Sequence, residues 1–265
     1  MASLLAATGR GIFWLLEYLG QLTILLKEMG ASMLFGRMRW RLLGEQVVNI
    51  GFGSQLVVVV TGAFTGAVFA AQTYFKFSSL GLGSGVGAVV SIAMCRELGP
   101  VLTGLMLSGR VGAAMAAEIG TMKVTEQIDA LRSMGVHPVD YLVIPRVFAM
   151  FLSVPLLVAE SIGFGLLASH WVAVYGFNVP AAWYDHHVLA HTALIDVSMG
   201  MIKGTVFGAI IVLISCHQGL NATNGAVGVG QGTTKAVVFS SLALLVVNFF
   251  LSLILNTLSP LGGYD

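Results

Sequence analysis

The chain has 265 residues, of which 57% are hydrophobic and 9% are charged, and its formal net charge is +1. This composition excludes an ordinary soluble domain and predicts a membrane protein, while the small net charge argues against a protein that binds nucleic acid. Both cysteines, Cys95 and Cys216, lie in apolar segments, which indicates small buried side chains rather than a disulfide or a metal site.

The first apolar stretch of the chain, residues 12–29, is interrupted by acidic and basic side chains. Such a mixture favours a helix that lies in the membrane interface over a helix that crosses the membrane. Long apolar runs begin only near residue 54. We therefore assign residues 1–53 to an amino-terminal interfacial region and residues 54–265 to a membrane-spanning domain.

Five long apolar segments follow, and each approaches or exceeds the ~20 residues that a helix needs to cross a hydrocarbon core of about 30 Å. They comprise residues 55–75, 88–108, 147–175, 197–216 and 236–258. The sequence therefore predicts an all-α integral membrane protein with an amino-terminal interfacial helix and five transmembrane helices. The stretch between the last two segments is polar and rich in glycine, which predicts a loop.

The distribution of basic residues predicts how these segments are oriented. Residues 176–196, between the third and fourth segments, include no Lys or Arg, so we place this loop outside the cytoplasm. When the spans are counted, the cations collect on the other side: Arg37, Arg39, Arg41, Arg110, Lys123, Arg132, Arg146 and Lys235. The positive-inside rule places that side in the cytoplasm.

Two ionisable residues, Arg96 and Glu97, lie near the middle of the second segment, where a charge is costly unless it is paired or wetted. Adjacent residues of a helix point about 100° apart, so we expect each to have a separate partner. Two roles stay open, a buried ion-pair network that fixes helix packing and a site on the path of a substrate. A pair between Glu160 and Lys203 is a further hypothesis, because both fall at a similar height above the cytoplasmic face.

Glycines recur every fourth residue in two of the segments. Gly62 and Gly66 belong to the first segment, and Gly200, Gly204 and Gly208 belong to the fourth. This spacing allows another helix to approach closely. The pattern does not identify the partner helix, but it favours packing within the chain over a contact between two copies.

One face of the first segment combines aromatic residues with a cation toward its outer end. The residues that follow helical spacing there are Phe69, Thr73, Lys76, Phe77 and Leu80. A cation among aromatic rings suits a lipid phosphate, and it equally suits a lysine that extends toward water beside an aromatic belt. Both interpretations stay open.

A short amphipathic helix is predicted at about residues 122–136, between the second and third segments. Its apolar side chains repeat at helical spacing: Val124, Ile128, Leu131 and Met134. The segment from Thr125 is suited to begin a helix, and Gly135 with the following His-Pro pair is suited to end it. An apolar stripe beside charges of both signs is typical of a helix that docks a cytoplasmic partner.

The segment RELGPVLTGLMLSGRVGAAMAAEIGTMKVTEQIDALRSMGVHPVDYLVIPR, which begins at Arg96, strongly resembles the MlaE permease family. Members of this family are the membrane subunits of ABC systems that work with MCE proteins in lipid transport. The resemblance extends to Ile202-Lys203 and to the run from Thr233 to Val238, so it covers nearly the whole chain. The chain departs from the family at Gln231, where many members carry a cation ahead of the paired threonines.

The resemblance implies a homodimeric permease that holds phospholipid in an outward-facing cavity near the first and fifth spans. The residues expected to line this cavity are Phe69, Lys76, Phe77, Leu80, Arg96, Glu97 and Leu98. It also implies that the helix between the second and third spans is a coupling helix seated in a groove of an ATPase subunit. The residues expected to make that contact are Thr125, Glu126, Asp129, Arg132 and Gly135.

Further expectations about partners follow from the resemblance. The chain itself is expected to bind no cofactor, with ATP and Mg²⁺ held by the partner ATPase. An MCE-domain protein on the periplasmic side and a STAS-domain protein on the ATPase are the other expected partners. The expected location is a bacterial inner membrane, where such a system contributes to the lipid asymmetry of the outer membrane.

Other functional classes receive less support from the sequence. It has no G-x-x-x-x-G-K-[ST] motif, so we do not predict ATP hydrolysis by a P-loop of this chain. His186, His187 and His191 form only a loose group, which is too weak a signal for a metal site. An ion-coupled secondary transporter or channel is the alternative. It would use intramembrane charges such as Glu160 and Lys203, and it often has two repeated halves, which these segments do not show.

Overall fold

The computed structural model describes residues 2–35, 39–79 and 85–258, and this part of the chain is helical and contains no β-strand. Its helices, in chain order, are α1 (Ala2–Phe35), α2 (Trp40–Ser78), α3 (Val86–Val124), α4 (Gln127–Ser133), α5 (Val139–Gly176), α6 (Ala181–His191), α7 (Leu194–Leu220) and α8 (Gly225–Leu258). Five of them, α2, α3, α5, α7 and α8, are long and apolar enough to cross a membrane. The predicted all-α fold with five membrane-spanning helices is confirmed.

Several of these spans are longer than the apolar segments that predicted them. Helix α3 continues to Val124, and α2 already begins at Trp40, so the predicted boundary at residue 53 falls inside α2. Helix α8 begins at Gly225. Most of the stretch that was predicted to be a polar loop is therefore helical. Apolarity marks only the part of a helix that lies in hydrocarbon, whereas backbone hydrogen bonding continues beyond that part.

Three of the spans contain single turns of π-helix. These turns are Val48–Phe52 in α2, Met94–Leu98 and Ser108–Gly112 in α3, and Val139–Val143 and Val172–Gly176 in α5. A π turn interrupts the regular helical repeat and often occurs at functional sites. The first π turn of α3 contains Arg96 and Glu97. These two charged side chains therefore extend from a part of the helix whose geometry is irregular.

Helix α5 lies at the centre of the bundle. In its most apolar stretch 67% of the residues are buried inside the chain, compared with 22% in α2 and 11% in α8. Helices α2 and α7 pack on α5, and α7 also packs on α3 and α8. Helices α2 and α8 therefore present most of their apolar side chains outward.

The glycine repeat of α2 brings this helix into backbone contact with α5. A Cβ atom added at Gly62 would lie 2.6 Å from the carbonyl oxygen of Ser161. One added at Gly66 would collide with the backbone of Gly165. Only glycine therefore permits this approach, and the repeat serves packing within the chain.

The glycine repeat of α7 has the same role. A Cβ at Gly200 would lie 2.5 Å from the carbonyl oxygen of Cys95 on α3, and one at Gly204 would lie 2.9 Å from Val158 on α5. Gly208 also faces α5. The structure thus bears out the favoured interpretation of packing within the chain.

Helix α1 joins the bundle at the carboxyl end of α7. The side-chain amide of Gln218 donates a hydrogen bond to the hydroxyl of Tyr18 at 3.3 Å, and Leu25 is buried in the main hydrophobic core. Among the described residues, α1 is not one of the helices that are long and apolar enough to cross a membrane. Its position in the membrane interface stays a prediction.

The predicted outer loop at residues 176–196 is wrong as a loop, because it contains helix α6 and the first turn of α7. Tyr184 of α6 is 2% exposed and shares a hydrogen bond with Ser169 at 2.8 Å. Burial raises the pKa of the Tyr184 phenol, so the hydroxyl stays protonated. Hydropathy did not reveal this helix, because it is short and most of its side chains are exposed. In the described part of the chain no three His, Cys, Asp or Glu side chains could hold a metal ion.

The contact between α2 and α5 generates a prediction about stability. Replacement of Gly66 by Ala forces these helices apart, and we expect a loss of about 1–3 kcal/mol in the free energy of unfolding. Gly163 of α5 is the matched control, because a Cβ there meets no atom within 4 Å. Unfolding of G66A and G163A in mixed micelles measures the difference, and equal stability of the two variants would contradict the packing described.

Candidate functional site: the charged cluster and the connecting helix

Helix α3 lacks one backbone hydrogen bond beside its charged pair. Pro100 has no amide proton, so it cannot donate to the carbonyl of Arg96, four residues earlier in the sequence. Lys203 of α7 donates to that carbonyl from Nζ at 2.7 Å. A side chain from a neighbouring helix thus supplies a bond that the proline cannot make.

Lys203 is almost completely buried, with 2% of its side chain exposed. Besides the Arg96 carbonyl, its ammonium group donates to Glu97 Oε1 and to Ser252 Oγ, both at 2.8 Å. An ammonium group has three donors, and each of them has an acceptor here. The buried charge is therefore neutralised and fully hydrogen-bonded, which is the condition for a stable charge inside a membrane protein.

Glu97 connects α3 to α8 as well as to α7. Asn248 donates from Nδ2 to Glu97 Oε2 at 3.0 Å, and the Ser252 hydroxyl lies 2.8 Å from Oε1. Both residues belong to α8. Nevertheless, 42% of the Glu97 side chain is exposed. Two helices hold this carboxylate, and it is still accessible from outside the chain.

Arg96 makes a second ion pair, with a carboxylate in the first turn of α7. Its Nε and Nη2 atoms each lie 2.6 Å from Asp196 Oδ1, and Nη1 donates to Asn256 Oδ1 at 3.1 Å. Asp196 Oδ2 also accepts a hydrogen bond from the backbone N–H of Ala193 at 2.8 Å, where α7 begins. The guanidinium group therefore ties α3 to the first turn of α7 and to the end of α8.

We refer to these residues together as the charged cluster: Arg96, Glu97, Asp196, Lys203, Asn248, Ser252 and Asn256. Arg96 lies about 15 Å from the first residue of α3 along the helix axis. This distance is about half of a hydrocarbon core of ~30 Å, so the predicted position of Arg96 and Glu97 near the middle of the apolar segment stays a prediction. As expected, Arg96 and Glu97 have separate partners.

The hypothesis of an ion pair between Glu160 and Lys203 is wrong. Lys203 binds Glu97, and Glu160 makes no salt bridge among the described residues. Counting residues gives the height of a side chain along a helix, but it does not give the direction in which the side chain points. Lys203 points toward α3 and α8, away from a partner on α5.

The predicted lining residues other than Arg96 and Glu97 fall into three groups. Phe69, Phe77 and Leu98 are partly buried against a second, smaller hydrophobic core of α2, α3, α5 and α6. Lys76 is exposed near the end of α2, and Leu80 lies outside the described residues. The role of these residues in lining a lipid cavity stays a prediction.

Helix α4, the connecting helix, occupies Gln127–Ser133, inside the predicted range 122–136. It begins later than predicted, because Thr125 ends α3 and Glu126 adopts a left-handed conformation with φ of 60°. Gly135 follows the helix with φ of 74°, a conformation that suits glycine. The predicted end of the helix is therefore confirmed, and its predicted start is corrected.

The connecting helix is fixed to the bundle by one buried residue and by ion pairs. Ile128 is 1% exposed and belongs to the main core. Asp129 lies 3.4 Å from Lys123 Nζ and 3.3 Å from Arg132 Nη1, so two charges expected to contact a partner are also paired with each other. Met134, predicted to lie on the apolar stripe, is 68% exposed.

Sequence reasoning missed four members of the charged cluster. Asn248, Ser252 and Asn256 recur every fourth residue within an apolar helix, and this spacing puts them on one face. A polar stripe on an apolar span was the signal that could have found them. Asp196 was assigned to the end of a loop, although it lies in the first turn of α7.

The ion pair between Glu97 and Lys203 can be tested by a double-mutant cycle. We expect E97Q and K203M to lower the free energy of unfolding, and the double variant to lose about 1–3 kcal/mol less than the sum of the two effects, because the residues are in contact. The control cycle pairs E160Q with K203M, and additive effects are expected there. Additivity in the first cycle, measured in mixed micelles, would contradict the observed pairing.

The amino-acid sequence is similar to those of known membrane proteins. A profile of the family described as permease MlaE matches residues 43–254. The chain is 44% identical to a probable ABC transporter permease protein of Rickettsia typhi, covering 80% of this chain and 82% of that protein. Identity is 42% to a probable ABC transporter permease protein of Synechocystis, with 82% of each chain covered. It is 40% to the chloroplastic protein trigalactosyldiacylglycerol 1 of Arabidopsis thaliana, covering 86% of this chain and 65% of that protein.

The matched region contains the connecting helix and the charged cluster as far as Ser252. Both the family profile and the relatives cover well over half of the chain. An ABC transporter permease forms the membrane path and leaves ATP hydrolysis to an ATPase partner. The chain belongs to the MlaE permease family and is a multi-pass, non-catalytic permease subunit of an ABC transporter.

Proposed function

We propose that the chain is the permease of a phospholipid transporter in a bacterial inner membrane. Two copies form a homodimer that passes phospholipids between this membrane and a periplasmic MCE-domain protein, and this transport contributes to the lipid asymmetry of the outer membrane. Membership of the MlaE family supports the proposal. So does the 40% identical chloroplastic relative, whose name is that of a galactolipid.

The observation that carries the proposal is the position of the charged cluster beside apolar side chains that face outward. Arg96 and Glu97 keep 36% and 42% of their side chains exposed. On α8, the neighbours Phe249 and Phe250 are 60% and 56% exposed. A phospholipid has the same division, because its phosphate suits a guanidinium group and its acyl chains suit apolar side chains.

A homodimer would complete the cavity around such a lipid. Helices α2 and α8 bury 22% and 11% of their most apolar stretches within one chain, so both keep apolar surface for further contacts. In a symmetric pair, the same surface on each copy contributes to the interface. Placing α2 and α8 of the two copies toward each other would enclose the exposed sides of both charged clusters.

Helix α3 offers a direct mechanical connection between ATP hydrolysis and the lipid. The connecting helix follows its inner end, and Glu97 lies 26 residues before Lys123, or about 40 Å along a continuous helix. Lys123 is bound to Asp129 of the connecting helix. A displacement of α4 by the ATPase would therefore move the inner end of α3, whose outer part holds the cluster.

In this proposal ATP and Mg²⁺ are bound by the ATPase, and a STAS-domain protein binds to that ATPase rather than to the membrane. The chain supplies the connecting helix as its contact with the ATPase. Glu126 and Met134 are exposed beside this helix. Thr125, Asp129, Arg132 and Gly135 are exposed as well, so all the residues predicted to contact the ATPase are open to a partner.

Transport is tested by replacing Arg96 with Gln in the assembled transporter. We expect phospholipid transfer to the MCE-domain protein to fall at least about tenfold, because a charge-assisted bond to phosphate is lost. The variant should still co-purify with the ATPase, and R41Q is the matched control, because Arg41 is 92% exposed and pairs with Glu45 far from the cluster. Transport driven by an ion gradient without any ATPase would refute the proposal and favour a secondary transporter.

Coupling is tested on the exposed side of the connecting helix. We expect E126K combined with M134D to reduce co-purification of the ATPase at least about tenfold. The first change reverses a charge, and the second replaces an apolar side chain with a carboxylate at a protein interface. The control is H186E on α6, at the opposite end of the bundle. Wild-type levels of ATPase with the double variant would exclude these residues from the contact.

A further inference from the structure

A cleft of about 370 Å³ lies between α2 and α3, well away from the charged cluster. Its lining includes Gln46 and Asn49 of α2 together with Arg110, Ala114 and Glu118 of α3. Arg110 lies 14 residues after Arg96, or about 21 Å further along α3 toward the connecting helix. No step of the proposed transport cycle uses this cleft.

Arg110 is the feature that sets the cleft apart. Of the arginines in the described spans, Arg41, Arg96 and Arg146 each pair with a carboxylate. Arg110 is exposed, and it forms no salt bridge within the described residues. A guanidinium group without a counter-charge at a membrane-spanning helix is costly unless an anion or water satisfies it.

The guanidinium group of Arg110 is also held in place. Its Nη1 atom donates to Ser54 Oγ at 2.7 Å and to the carbonyl of Asn49 at 3.4 Å. A Cβ atom at Gly53 would lie 2.6 Å from Nη2, so the absence of a side chain there lets the guanidinium group lie against α2. Nε and Nη2 donate to no acceptor in the described part of the chain. These donors suit the oxygens of a phosphate, which an arginine can bind in a bidentate manner.

The surroundings of the cleft resemble the headgroup boundary of a bilayer. Toward the start of α2 the exposed side chains include Arg41 and Glu45. On the other side of Asn49, about one and two turns further along α2, Phe52 and Leu56 are each 75% exposed. Polar and apolar surfaces therefore meet at the cleft. A lipid phosphate placed there would leave its acyl chains beside exposed apolar side chains.

We propose that this cleft binds the phosphodiester headgroup of a resident phospholipid in the cytoplasmic leaflet, with Arg110 as the phosphate ligand. The amide side chains of Gln46 and Asn49 provide further polar contacts. Glu118 pairs with Arg146 through Oε2, so these two charges balance and Arg110 supplies the net positive charge of the site. The lipid would sit between the inner ends of α2 and α3, apart from the lipid that is transported.

The test uses the permease purified with its ATPase in a mild detergent, and it counts bound phospholipids by native mass spectrometry. We expect R110Q to lower the occupancy of one phospholipid per chain at least about tenfold, because bonds to a charged group are lost. R41Q is the matched control and should retain the lipid. A114W fills the exposed rim of the cleft without removing Arg110, and we expect the same loss. Retention of the lipid by both R110Q and A114W overturns the proposal.

Re-addition experiments distinguish the sources of phosphate. We expect phosphatidylglycerol or phosphatidylethanolamine, added to delipidated wild-type complex, to raise its Tm, and we expect no such rise with R110Q. An equal rise with inorganic phosphate alone would overturn the assignment to a lipid. If R110Q instead separates the two copies of the chain and leaves bound lipid unchanged, the cleft is a contact between copies, and the proposal is also overturned.

Discussion

The packing of α3, α7 and α8 around the charged cluster depends on the buried ammonium group of Lys203. One side chain satisfies the Arg96 carbonyl that Pro100 leaves without a donor, neutralises Glu97 and binds Ser252. It thereby joins α7 to α3 and, through Ser252, to α8. Removal of either partner of a buried ion pair leaves a charge that neither lipid nor apolar side chains can stabilise. The pair therefore specifies how three helices meet, in addition to any contribution to stability.

The same helix, α3, carries both parts of the proposed mechanism. Its amino-terminal part holds Arg96 and Glu97 in a π turn, and its carboxyl end leads directly into the connecting helix. A second π turn, Ser108–Gly112, lies between them. Helices are stiff along their axes, whereas irregular turns are places where a helix can bend. The order of rigid segments and irregular turns along α3 thus suits a helix that transmits movement.

Features that depend on local sequence were predictable, and features that depend on helix orientation were not. Apolar runs of sufficient length indicated the five spans, and Gly135 indicated the end of the connecting helix. The glycine repeats indicated close packing, because that requirement is local to the helix surface. The partner of Lys203 could not be derived, since it depends on the rotation of α7 relative to α3. Helix α6 was missed because it has 11 residues and most of its side chains are exposed, so it lacks the long apolar run that marked the spans.

Toward its carboxyl end, helix α8 is attached to the charged cluster by hydrogen bonds, and its large apolar side chains there are mostly exposed. Asn248 donates a hydrogen bond to Glu97, and Asn256 accepts one from Arg96. In the proposed function, a headgroup that binds these two charges would compete with α8 for the same donors and acceptors. Lipid binding would then weaken the attachment of α8 to the bundle.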